Sequence, residues 1–177
     1  MQNGCFGNCG RLLGMSAKQF VLDQMGNHIK SFLKGMNETP EDLFNLSPAA
    51  GGHSVAWHAL HTSDWNRVLV PANCADVTDQ TFAYLGWEDR DWAKAVFGPS
   101  LASVTDGKTK ILEVVTLEFE RGLRDIEAAT DAQMQQKVVT PTGERPIMGM
   151  WTGQIRHIPY HWGQLKMTAT QLEKARG

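Results

Sequence analysis

The sequence has little of what marks secreted, membrane-spanning or nucleic-acid-binding chains. Its cysteines are three, Cys5, Cys9 and Cys74, an odd number that argues against a disulfide framework. No run approaches the roughly 18 consecutive apolar residues of a membrane-spanning helix. The opening MQNGCFGNCGRLLG has no charged segment leading into an apolar one, so no secretory signal is expected. A basic surplus is missing too: 17 Lys and Arg face 19 Asp and Glu, for a formal charge of −2. That balance speaks against a nucleic-acid partner and against a polybasic patch for membrane surfaces. A cytoplasmic location is the expectation. Strand-like alternation of apolar and polar residues is also missing, which points to an all-α class.

What is present suits one globular domain. The chain has 177 residues, 42% hydrophobic and 20% charged, values that argue against disorder and against two domains. Residues 1–15 read as a mobile leader and 16–177 as the domain. Cys5 and Cys9 form a C-x3-C pair in that glycine-rich leader. No second pair completes a zinc site, so they read as free thiols, and Cys74 reads as structural.

Four segments carry helical periodicity. The first, about 16–36, opens with a capping-box pattern at Ser16 and Gln19 and places Leu22, Met25, Ile29, Phe32 and Met36 on one stripe. His28 sits beside that stripe. The second, about 53–70, ends at Pro71 and puts Trp57, His61, Asp64 and Val68 on one face. The third, about 103–129, buries Ile111, Val115, Phe119, Gly122 and Ile126, with Glu118 alongside. The fourth, about 147–174, carries Met150, Gln154, His157, His161, Leu165, Thr168 and Leu172. Pro159 interrupts it and should kink it, removing one backbone hydrogen bond. The connection 71–102 is too long and too aromatic for a structureless loop and reads as a packed cover with a short helix near 88–96. The connection 130–146 is polar, with two prolines.

Five of the six histidines fall on the second and fourth segments: His53, His58 and His61 on one, His157 and His161 on the other. Residues four apart on a helix point roughly 40° apart and rise about 6 Å, so His157 and His161 can converge on one ion. A third ligand must come from another element, and His61 is better placed than His58 because it shares the face of Trp57 and Asp64. Neutral imidazoles suit a divalent transition metal such as zinc or nickel rather than magnesium or calcium. Three protein ligands leave a coordination position open, the mark of a reactive site.

The run His157-Ile-Pro-Tyr-His161-Trp-Gly163-Gln164 resembles the H-x3-H-x-G-Q signature of DinB-like proteins. Ser54-Val-Ala-Trp57-His58-Ala-Leu-His61 is similar to their second signature, and that alignment also selects His61. The resemblance spans about 16–175. It implies an up-down-down-up four-helix bundle, often a homodimer, with a three-histidine metal site at one end. It also implies a metal-dependent S-transferase using a low-molecular-weight thiol such as bacillithiol or mycothiol on a small-molecule substrate. Alternatives are a metal-dependent hydrolase or a non-catalytic, stress-related metal-binding bundle. Pro159 departs from the family pattern, and His58 is an additional histidine near the site. Asp64 and Glu118 are candidates to orient a ligand histidine or to act as a general base. Gln164 is expected to hydrogen-bond near the site, Gly163 to allow close helix packing, and Trp57, Trp65 and Trp162 to anchor the core or an interface.

Overall fold

The computed structural model describes residues 15–78, 81–87 and 89–177. The leader read over 1–15 lies almost wholly outside them, as do Cys5 and Cys9. Cys74 is a buried free thiol.

Four long helices form the frame: α1 (Ala17–Glu38), α3 (Val55–Leu69), α5 (Lys108–Ala128) and α7 (Ile147–Ala175). Three short ones, α2 (Glu41–Phe44), α4 (Asp91–Ala95) and α6 (Asp131–Gln135), lie in the connections. Contacts run around a square in the order α1, α5, α3, α7. Directions follow from cross-helix contacts. Lys18, at the start of α1, donates to the carbonyls of Glu127 and Ala129 at the end of α5. Lys108, at the start of α5, donates to Asn37 and Thr39 at the end of α1. Gln154, early in α7, donates to Asn66 late in α3, and Thr168, late in α7, donates to His53 just before α3. Lys166, late in α7, pairs with Glu38 at the end of α1, so α1 and α7 run one way and α3 and α5 the other: up-down-down-up, with diagonal crossovers after α1 and α5.

Helix starts follow their caps. Ser16 Oγ accepts from the Gln19 N–H and Ser54 Oγ from the Trp57 N–H, each at 3.1 Å, satisfying a donor that the first turn leaves unpaired. The full capping box expected at Ser16 is only half made, because the Gln19 amide donates to Asp23 instead. The reciprocal box occurs at Thr130 and Gln133, which start α6. α5 begins at Lys108 rather than near 103, behind a turn in which Asp106 accepts from the Ser103 N–H. α7 runs without a break through Pro159.

One short hairpin interrupts the all-helical pattern. β1 (Lys137–Thr140) and β2 (Gly143–Pro146) pair antiparallel between α6 and α7. They are too short for alternation to stand out, and the turn sits at Gly143, whose φ of +98° suits glycine.

The expected stripes are the core. Met25, Ile29, Phe32 and Met36 of α1 meet Ile111, Val115, Phe119 and Ile126 of α5, and Phe32 and Phe119 pack edge to face with centroids 5.9 Å apart. α3 departs from a one-face reading. Eleven of its fifteen residues are buried, among them Thr62, Ser63, Asp64 and Asn66. It is enclosed by α5, α7 and the 71–102 connection, which is the packed cover expected. That cover has its own apolar cluster of Val68, Phe82, Leu85 and Val96, with Trp65 and Trp92 against it.

Gly122 is the close-packing glycine of the α3–α5 seam. A Cβ there would stand 2.8 Å from Asn66 Nδ2 and 3.4 Å from Val70 Cγ1. Asn66 cannot swing aside, since its side chain also donates to Glu118 and accepts from Gln154. Gly163, expected in that role, has nothing within 4 Å. Gly122→Ala should therefore lower stability by about 1–3 kcal/mol despite the better helix propensity of alanine. Gly26→Ala, on a helix face with nothing within 4 Å, should raise it by about 0.5–1 kcal/mol. Denaturant melts of the two variants should move in opposite directions.

Candidate metal centre

The antiparallel pairing of α3 and α7 brings His61, His157 and His161 together. Each offers a ring nitrogen, and these atoms lie within 4.8 Å of one another. Ring centroids are 4.3 Å apart for His61 and His161, 4.5 Å for His157 and His161, and 5.0 Å for His61 and His157. His61 and His161 are buried and His157 is half-buried. The helix carries Pro159 between its two histidines without moving either out of the cluster.

His61 is oriented from the cover. Its Nδ1 lies 2.6 Å from the Tyr84 carbonyl, which fixes Nδ1 as the donor and turns Nε2 toward His157 Nε2, 3.1 Å away. On its other side Trp57 stacks on the ring at 4.5 Å and 16°, and His53 stacks in turn on Trp57 at 3.6 Å and 10°. Gln164 lies close enough to His161 to favour its charged form, against the effect of burial. His58 stands outside the trio, buried, with its Nδ1 3.3 Å from His161 Nδ1.

Asp64 completes the support of His61. It is fully enclosed, and its Oδ2 accepts from the backbone N–H groups of Ala83 and Tyr84 at 3.0 and 2.9 Å. Its Oδ1 takes the Ser100 hydroxyl at 2.6 Å and pairs with Arg67 at 3.4 Å. It thus holds the N–H of the same residue whose carbonyl receives the His61 proton. Glu118 is placed elsewhere. Its carboxylate is taken by Asn66 and Arg121, in a buried polar line that continues through Asn66 to Gln154.

Burial holds all four imidazoles neutral, the form that ligates metals. Desolvation, reinforced by His161 and His157, pushes His61 down to about 2. Desolvation likewise lowers His157 to about 3 and His58 to about 3, both with a further contribution from His161. His161 falls to about 4, burial outweighing the opposing effect of Gln164. The neutral trio also fits a cation in its bonding. His157 Nδ1 is buried without a partner while its Nε2 faces another ring nitrogen. With the proton on Nε2, His157 donates to His61 and leaves Nδ1 without a partner; with it on Nδ1, two Nε2 lone pairs are opposed, and a cation shared between them relieves that opposition.

The sequence profile of the DinB superfamily matches residues 24–165. The chain belongs to the DinB superfamily. A solved structure of a mutant mycothiol-dependent maleylpyruvate isomerase superposes with a TM-score of 0.61 at 12% identity, over 84% of this chain and 60% of that one. At that identity the likeness is one of fold, and this DinB chain spans 60% of the isomerase's length. Among curated proteins no sequence matches it. No helix among the described residues is long and apolar enough to cross a membrane.

Two outcomes follow. The histidines titrate near 6.5 when unfolded, so below that pH the unfolded chain takes up protons that the folded one refuses, and stability falls with falling pH. Each histidine contributes up to about 1.4 kcal/mol per pH unit between its two pKa values. Asp64, raised by burial, works in the opposite sense, but it is one group against four. The melting temperature of metal-free protein should drop steadily from pH 6.5 to 5, and a flat profile would show the imidazoles are not enclosed. Asp64→Asn, which loses an acceptor for the Ala83 and Tyr84 N–H groups, should weaken zinc affinity about tenfold or more in chelator competition.

Proposed function

We propose that the protein is a metal-dependent transferase that joins a low-molecular-weight thiol to a small electrophile. The observation that carries this is the convergence of three neutral imidazoles from α3 and α7, with ligand atoms within 4.8 Å of one another. Membership of the DinB superfamily and the likeness in fold to a mycothiol-dependent isomerase support it. A zinc or nickel ion on His61, His157 and His161 would supply a Lewis-acidic position with room for one more ligand, where a thiol ionises near neutral pH.

The chain's own residues do the remaining work. His61 is kept in one tautomer by the Tyr84 carbonyl, and Asp64 holds that carbonyl in place. Trp57 and His53 stack behind His61 and resist its rotation. In the reaction a carbon–sulfur bond forms, the thiol proton passes to solvent, and the leaving group departs with its bonding pair. Asp64 acts here as a positioning residue, since its oxygens are committed to backbone, Ser100 and Arg67. Glu118 serves the seam between α3 and α5. The reading takes a small molecule as substrate, without nucleic acid or membrane. A homodimer belongs to the same proposal and is supported by exposed Tyr160, Trp162 and Met167 on α7.

Zinc- and nickel-loaded protein should be assayed with a panel of small thiols against chlorodinitrobenzene and iodoacetamide. Thiol-dependent turnover is expected, falling at least a hundredfold in His61→Ala. No rate above that variant with any thiol overturns the transferase reading. A rate on ester substrates that needs metal but no thiol would assign hydrolysis instead.

A further inference from the structure

The cover carries an aromatic group that neither core packing nor metal ligation accounts for. Trp87 is 61% exposed and has a φ of +58°, directly after Gly86 at +70°. The left-handed region is disfavoured for residues with a Cβ and is rare for bulky ones. A tryptophan held there while most of its ring stays in solvent is strain that burial does not repay, the kind of outlier that points to a binding role.

Its neighbours give the role a shape. Trp65, Trp87 and Trp92 meet edge to face in a triangle, with centroids 6.0, 6.3 and 6.1 Å apart and interplanar angles of 78°, 65° and 75°. Trp65 and Trp92 rest on the Val68, Phe82, Leu85 and Val96 cluster, and the Trp65 indole N–H is tied to the Leu85 carbonyl at 2.8 Å. The contacts fill the space between the three rings, so the surface on offer is the solvent-facing side of Trp87, with Trp65 and Trp92 fixed behind it. The group adjoins the histidines: Trp65 lies 5.9 Å from His157, and a Cβ on Gly86 would stand 3.6 Å from His61 Cε1. The same two-residue turn backs His61 and presents the exposed indole.

We propose that the exposed side of Trp87, braced by Trp65 and Trp92, is the wall of a shallow cradle that binds a planar aromatic ring of the substrate beside the histidine centre. This rests on the transferase reading, because it takes that centre as the place of reaction. Flat rings stack on indole faces or meet them edge-on, and such contacts favour them over saturated rings of equal size. Burying the open face of Trp87 under a ligand also supplies the desolvation that the unliganded turn forgoes.

The test uses an unreactive probe, so it reads binding without thiol or turnover. Dinitrobenzene and cyclohexanol are titrated into metal-free and zinc-loaded protein while the indole N–H signals are followed by proton–nitrogen NMR. Saturable shifts of the three indole signals are expected with dinitrobenzene and not with cyclohexanol. Trp87→Gly accepts the positive φ without strain, so it should keep the melting temperature while binding dinitrobenzene about tenfold more weakly. Trp87→Phe should recover most of that affinity. No saturable shift, or equal affinity in Trp87→Gly, overturns the cradle. So does a large fall in melting temperature of Trp87→Gly without loss of affinity, which would make Trp87 a packing residue. Turnover of iodoacetamide, which has no ring, reports on the transferase reading separately.

Discussion

The contact between His61 and the Tyr84 carbonyl joins the helical frame to the cover, and the centre depends on it. An imidazole on a helix can rotate about two bonds and exist as two tautomers. Donation from Nδ1 to a backbone oxygen 2.6 Å away fixes both choices at once. The oxygen is itself held, because Asp64 grips the N–H of the same residue and of the one before it. Asp64 lies three residues after His61 on α3, so the helix reaches around through the cover to brace its own histidine.

This brace requires an unusual helix. α3 buries a carboxylate, an asparagine, two hydroxyls and two imidazoles, groups that resist leaving water unless they are bonded. Asp64 meets the requirement with four donors, and Asn66 by joining Glu118 to Gln154 across two seams. Ser63, and one atom each of Gln154, Trp151 and His157, remain without partners among the described residues. Those atoms gather on α3 and the first half of α7, the helices that carry the histidine trio. Among the described residues, the unmet polar groups are concentrated where chemistry is expected.

Much of this was legible in the sequence. The stripes of α1 and α5 have strong 3.6-residue periodicity because each of those helices faces the core on one side, and their buried residues match it. The His157–His161 spacing is local and could be read directly. α3 was read as one face and is buried nearly all round, because enclosure by a distant connection leaves no periodic trace. Asp64 stands out in the sequence beside His61, but the link between them runs through residues 83 and 84, about 20 positions away, which no local pattern shows. Glu118 lay on the expected flank of α5, yet what it would meet depended on where Asn66 and Arg121 point. Trp87 carried no signal at all, since its interest lies in a backbone angle. The hairpin escaped for a different reason: four-residue strands are shorter than a pattern needs.

The wide separation of the ligands along the chain has a consequence for how the bundle is held together. His61 and His157 are 96 positions apart, and two of the three ligands reside on the final helix. The cluster therefore exists only where α7 lies docked against α3, and neither helix alone offers the three nitrogens. A cation held there would tie the two helices to each other, so that its binding energy would count toward the stability of that seam as well as toward chemistry.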